Sequence, residues 1–276
     1  MDTTHRAAVA ERAACAGGVV AREQYRSTLD VETKADKNDL VTATDREAQE
    51  QVVATIREAY PDDALVCEED ALPPGVDRDT ETRKSVPPSG PAWVVDPIDG
   101  TANFVRGARF WTSCVAAVVD GVPVAGATYF PALGDVYAAG GGDTTRNGTT
   151  VTVSERTDPG TFAVGLLGWW PMGKGDEHAA LFRTSAETFG DVRRMGSMQG
   201  TLALVAAGTL DAAFMPARPH PWDSLVGVHL VRGAGGTVTD VDGGPWTHDS
   251  EGLVVSNGQA HEAVLAAARA GTSDGD

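Results

Sequence analysis

The chain has 276 residues, 42% of them hydrophobic, which suffices for a substantial core in one large or two medium domains and excludes a disordered segment. Its 39 acidic against 22 basic residues give a formal charge of −17, so a nucleic-acid backbone or an anionic membrane surface would be repelled. Cys15, Cys67 and Cys114 are widely spaced and form no C-x-x-C pair, which predicts reduced, buried thiols rather than a disulfide or a zinc site. Glu11 and Arg12 stand where a signal peptide needs apolar residues, and the longest uncharged run, residues 195 to 210, is shorter than the roughly 20 residues of a membrane span. A cytoplasmic protein with no membrane partner is the expectation.

Along the chain, an Ala-rich stretch from about Thr4 to Tyr25 predicts a helix loosened by Gly17 and Gly18. "TDREAQEQVVATIREAY" predicts a second, because Ala48, Val52, Ile56 and Ala59 recur at helical spacing and Thr44 with Glu47 has the form of a capping box, leaving Asp45 in the first turn. "ALVCEED" predicts a short strand ending at Glu68, and the Pro-rich, charged segment 71 to 91 a surface excursion or lid. "WVVDPIDGTANF", residues 93 to 104, is a hydrophobic run leading into a tight turn that carries Asp96 and Asp99. Asp120-Gly121 between apolar runs signals a hairpin in antiparallel sheet, and "DVYAAGGG" and "TTVTVSE" continue the strand character.

From about residue 157 strands and helices alternate: "FAVGLL", a helix near Glu177 to Phe189, "VRRM", a helix from Ser197 to Ala207, "DAAF", a helix after Trp222, "GTVTDV", "GLVVS" and a C-terminal helix. The change divides the chain into an N-terminal α+β half, 1–156, bearing the acidic motifs, and a C-terminal α/β half, 157–276, that completes the pocket.

Four segments present acid at the end of an element: Asp45, Glu68 with Glu69, Asp96 with Asp99, and Asp223 after Trp222. Carboxylates gathered in this way repel unless a cation lies between them. With oxygen ligands alone and no Cys or His cluster, the cation is a hard one, Mg²⁺ or Mn²⁺. Magnesium takes its remaining ligands from water and phosphate, and the backbone N–H groups of Gly100 and Thr101 could cradle a phosphate, so the pattern points to phosphoryl chemistry.

"WVVDPIDGTANF", "CEED" at 67 to 70, "KNDLVTATD" at 37 to 45, "PWD" at 221 to 223 and "GAGGTVTDVDGGPW" together resemble the inositol monophosphatase family of magnesium-dependent, lithium-sensitive sugar phosphatases, over nearly the whole chain and in family order. The resemblance implies an α+β fold, an αβαβα sandwich of mixed and antiparallel sheets flanked by helices. It implies that Glu68, Asp96 and the Ile98 carbonyl hold one Mg²⁺, that Asp96, Asp99 and Asp223 hold a second, and that a third binds near Glu68. Thr101, bonded to Asp45, would orient the water that attacks phosphorus, with no covalent phospho-enzyme. Asp99, Gly100, Thr101 and Asp223 would also meet the substrate, a small-molecule phosphate monoester such as inositol 1-phosphate, and family members are usually homodimers. Lys34 and Asp39 lie in the same blocks.

One position departs from the family. Where inositol-selective members place a glutamate, this chain has Met215 or Pro216, neither able to accept from a sugar hydroxyl. Arg193 and Arg194, before "GSMQG", and Arg218, before "PWD", are candidate readers of a second phosphate, which would give fructose-1,6-bisphosphatase or dual activity. Within the wider superfamily, histidinol phosphate and 3′-phosphoadenosine 5′-phosphate are further candidate substrates, and a non-catalytic binding protein is the alternative of a different class. "GSMQG" lacks the nucleophile-elbow pattern, Ser197 reads as a helix cap, "GAGGTV" lacks the last glycine of a dinucleotide fingerprint, and His220 and His229 are isolated.

Overall fold

The computed structural model describes residues 2–27, 31–33, 40–76, 83–168 and 173–271. Lys34 and Asp39, and the Trp169-Trp170 pair, lie outside the described residues.

Helix α1, Thr3–Gln24, begins where Asp2 accepts from the His5 N–H at 3.0 Å. Its glycines do not loosen it. A Cβ on Gly17 would lie 2.4 Å from Val52 Cγ2 and 3.0 Å from the Ala48 carbonyl, so the missing side chain is what lets α1 approach the next helix. Strands β1, Val31–Thr33, and β2, Leu40–Thr42, pair antiparallel and lead into α2, Ala43–Ala59. The predicted capping box is displaced by two residues: the N-cap is Thr42 and its partner Asp45, not Thr44 and Glu47. Both spacings satisfy the pattern, and burial of the Asp45 carboxylate decides between them.

The first sheet runs β3 (Ala64–Cys67), β4 (Pro91–Asp99), β5 (Thr112–Val119), β6 (Val122–Phe130), β7 (Asp135–Ala139), β8 (Thr145–Arg146) and β9 (Thr149–Thr150), in that spatial order, with short helix α3 (Thr101–Val105) between β4 and β5. Only β3 and β4 are parallel, so the sheet is mixed rather than wholly antiparallel. Asp120 and Gly121, both at positive φ, close the predicted hairpin between β5 and β6. Of the excursion at 71 to 91, Arg83 returns to the sheet, its N–H donating to the Leu65 carbonyl at 2.9 Å.

The second sheet takes β10 (Ala163–Leu166), β11 (Asp191–Arg193), β12 (Ala212–Met215), β13 (Thr237–Thr239) and β14 (Leu253–Ser256), in the spatial order β11-β10-β12-β14-β13. Helices α4 (Gly175–Thr188), α5 (Met198–Ala206), α6 (Pro221–Gly233) and α7 (His261–Arg269) alternate with these strands. Strand alternation then builds the layers. Trp93 and Val95 of β4, with Val115 and Ala117 of β5, face α1 and α2, whereas Val94, Cys114, Ala116 and Val118 face α5 and α6. The α5–α6 pair also covers the second sheet, whose far face carries α4 and α7. The architecture is an αβαβα sandwich, and its central core joins residues of both sheets.

Candidate metal centre and active site

Strand β4 does not turn at Pro97 but runs on to Asp99. Asp96 pairs with Cys114 and Asp99 with Thr112, so two residues of β4 stand opposite one of β5. This bulge, rather than the tight turn predicted, aims the two aspartates. Gly100 then reverses the chain into α3 at φ 93°, where a Cβ would come within 2.9 Å of the Gly196 carbonyl.

Asp223 lies in the first turn of α6, which Pro221 opens with its fixed φ. Together Asp96, Asp99 and Asp223 present carboxylate oxygens that all lie within 4.8 Å of one another, each residue buried. Glu68 follows β3 and is held by its own N–H, which donates to the Val95 carbonyl at 3.1 Å. Burial first, and then the charges of Glu68, Asp99 and Asp223, hold the Asp96 carboxyl well above the usual carboxylate range. Burial also raises Asp99, opposed by the hydrogen bonds it accepts.

The donor set suits a hard divalent cation. Among the described residues Asp96 Oδ1 is buried without a hydrogen-bond partner, a costly state for a carboxylate that a cation would relieve, and the ligand atoms gathered here are all oxygens.

On the next wall the Thr101 hydroxyl lies 3.2 Å from Asp45 Oδ1 and 3.0 Å from the Ile98 carbonyl, its single proton shared between two acceptors. Asp45 Oδ2 accepts from the Thr42 N–H at 2.9 Å and its hydroxyl at 2.6 Å, so the capping role fixes the carboxylate that faces Thr101. One turn along α2, buried Gln49 donates to the Glu69 and Ala71 carbonyls, both at 2.7 Å, and accepts from the Glu69 N–H at 2.9 Å. Helix α2 thereby positions Asp45 directly and clamps the backbone beside Glu68.

Asp99 ties the end of β4 to the start of α5. Its carboxylate accepts from the Ser197 hydroxyl at 2.5 Å and from the N–H groups of Met198, Gln199 and Gly200 at 3.0, 2.8 and 3.3 Å, so it caps α5. Thr112 donates to the same carboxylate at 3.2 Å. Ser197 is the predicted N-cap and also accepts from Gly200. Asn103 completes the seam, donating to the Phe110 and Met195 carbonyls at 2.7 and 2.8 Å. Gln49, Asn103, Thr112 and Gln199 were not legible as site residues, since each acts through contacts distant in sequence.

The candidate phosphate-reading arginines behave differently. Arg193 pairs with Asp191 at 2.6 Å and Arg218 with Asp249, both on the surface and neither with the acid cluster. Arg194 is also exposed, and its Nη2 donates to the Gly168 carbonyl at 3.4 Å. Met215 is buried at the end of β12 beside Gly168, and no carboxylate takes its place in that strand. Lys84, which drew no notice in the sequence, donates to the Glu68 carbonyl at 2.6 Å, pairs with Asp70 at 2.9 Å and stands 5.8 Å from the Trp222 ring. All three cysteines are free; burial pushes Cys15 up to about 11 and Cys67 to about 12, so both are inert as thiols.

Residues 2–273 match the model of the inositol monophosphatase family. A fructose-1,6-bisphosphatase/inositol-1-monophosphatase of Thermotoga maritima is 34% identical over 236 residues, covering 85% of this chain and 84% of its own. A Nus factor SuhB of Salmonella typhimurium is 32% identical over 273 residues, 96% of each chain. Among solved structures, an IMPase of Thermotoga maritima superposes with a TM-score of 0.85 at 27% identity, covering 97% of this chain and 98% of that one.

Proposed function

The chain belongs to the inositol monophosphatase family, and from that premise we propose that it hydrolyses the phosphate monoester of a small polyol or sugar, inositol 1-phosphate foremost, with Mg²⁺ as cofactor. The observation that carries this reading is the trio Asp96, Asp99 and Asp223, buried within 4.8 Å of one another. Among the described residues Asp96 Oδ1 there has no hydrogen-bond partner.

In this reading Glu68, Asp96 and the Ile98 carbonyl would hold one Mg²⁺, and Asp96, Asp99 and Asp223 a second; Mn²⁺ would suit the same oxygen donors. When bound, the metal supplies Lewis-acid stabilisation of phosphoryl charge and makes water acidic enough to attack at neutral pH. The protein's own part is positional. Asp45 accepts the Thr101 proton, which leaves the Thr101 oxygen free to accept one from the attacking water and aim it at phosphorus. The N–H groups of Gly100 and Thr101 face the phosphate, and the cap on α5 holds Asp99 rigid while it meets metal and substrate.

Fructose 1,6-bisphosphate is the second candidate substrate, favoured by the Thermotoga maritima relative's name and by Met215 or Pro216 where a hydroxyl-binding glutamate would select inositol. A second phosphate would have to take Arg193 or Arg218 from its aspartate partner. Phosphate release from both substrates, with and without Mg²⁺, tests the proposal: metal-dependent turnover of either supports it, and turnover of neither removes it.

A further inference from the structure

Helix α5 contains one side chain out of keeping with its surroundings. In the run "MQGTLALVA" Gln199 is fully buried, and a buried primary amide is destabilising unless both ends are bonded. Both are. Its Nε2 donates to the Trp222 carbonyl at 2.5 Å and its Oε1 accepts from the Gly227 N–H at 2.6 Å. These two backbone groups lie on either side of Asp223, one residue before it and four after. The Gln199 N–H meanwhile donates to Asp99 at 2.8 Å. Gly227 is what admits the amide, since a Cβ there would stand 2.9 Å from Gln199 Oε1 and 2.4 Å from Leu202 Cβ.

We infer that Gln199 is a positioning residue of the metal centre, fixing Asp99 through its backbone and Asp223 through its side chain so that the two carboxylates, brought from opposite halves of the chain, are spaced for one cation. The inference rests on the proposed reading of the acid cluster as a divalent-metal site. Its chemistry is that of an outer-shell group, which sets where a ligand points rather than binding metal itself. Without the amide, the first turn of α6 keeps its helix but loses the bonds that set its rotation against α5, and Asp223 moves with it. The other carboxylates stay in place, because the backbone cap on Asp99 does not depend on the Gln199 side chain.

The test is Mn²⁺ binding to metal-free protein, followed by the electron paramagnetic resonance signal of free Mn²⁺, together with the melting temperature of the metal-free form. Q199L is compared with T144V, which removes a different buried bond to the same helix, the 2.7 Å contact of the Thr144 hydroxyl with the Leu230 carbonyl at its far end. Expected is a rise of about tenfold or more in the Mn²⁺ dissociation constant of the Asp223 site in Q199L, with little change in T144V, whatever each does to melting. Equal Mn²⁺ affinity in Q199L and wild type, or equal loss in Q199L and T144V, overturns the inference while leaving the metal site standing. Wild-type protein that binds no Mn²⁺ removes the site and the inference with it. If Q199L does not fold, Q199M, with an unbranched stem of similar length, carries the same comparison.

Discussion

Thr101 and Asp45, 56 residues apart in the chain, are joined by a 3.2 Å hydrogen bond between the hydroxyl of one and the carboxylate of the other. Asp45 is held there by its bonds to Thr42 at the start of α2, and Thr101 by the bulge and positive-φ glycine that end β4. A pair fixed from both sides and placed against the acid cluster is suited to proton handling rather than to binding.

Its removal should therefore lower kcat and leave KM nearly unchanged. T101A and D45N are each expected to reduce kcat by roughly 10²-fold or more, and T101S to keep most activity. Steady-state kinetics at saturating Mg²⁺ reads this. A pure rise in KM would assign the pair to substrate binding.

Metal should stabilise the fold, and more so at higher pH. Asp96 is raised in the folded chain, so its contribution is fully present below the ordinary carboxylate value and is lost as pH rises through the raised one. The melt of metal-free wild type relative to D96N should fall as pH rises through that window, and Mg²⁺ should recover the loss in wild type, by about 2.7 kcal/mol at a hundredfold excess over Kd. D96N should melt higher than wild type without metal and gain little on adding it. Differential scanning calorimetry at pH 5 and 8 gives the comparison.

Acid should destabilise the protein through His229. Burial, then the nearby Arg232 charge, pushes this histidine down to about 4, and its buried Nε2 has no hydrogen-bond partner among the described residues. Its folded value lies below the unfolded one, so stability is complete above the ordinary 6.5 and is lost as pH falls toward 4, a loss of order 3 kcal/mol. H229Q should flatten the pH dependence of urea unfolding between pH 6.5 and 4. His261 and His178 shift in the same direction and should leave a smaller residual slope.

Gly100 should tolerate no side chain. Its φ of 93° strains any L-residue, and a Cβ would meet the Gly196 carbonyl at 2.9 Å, backbone that cannot swing aside. G100A is expected to lose about 1–3 kcal/mol of stability from strain alone and to cost activity by separating the β4 loop from α5. An unchanged melt and unchanged kcat would show that the seam is not rigid.

Much of this was legible in the sequence because the signals were local. The order of helices and strands after residue 157 followed from apolar periodicity, and the Asp120-Gly121 hairpin from its turn residues. The acids at element ends could be read as one cluster because each closed or opened an element. Local signals also misled: Thr44 and Glu47 match the capping pattern as well as Thr42 and Asp45, and only burial of Asp45 separates them. Gln49 and Gln199 were illegible, since a glutamine within a helix carries no mark of the backbone it will grip 20 or 28 residues away. Lys84 failed to stand out for the same reason.

The most direct test of the central claim is phosphate release from inositol 1-phosphate and fructose 1,6-bisphosphate by metal-stripped protein, with and without added Mg²⁺, for wild type and D96N. Expected is turnover of at least one substrate only with Mg²⁺, and its near abolition in D96N. No metal-dependent release from either, or D96N matching wild type, would contradict a phosphatase centred on Asp96, Asp99 and Asp223.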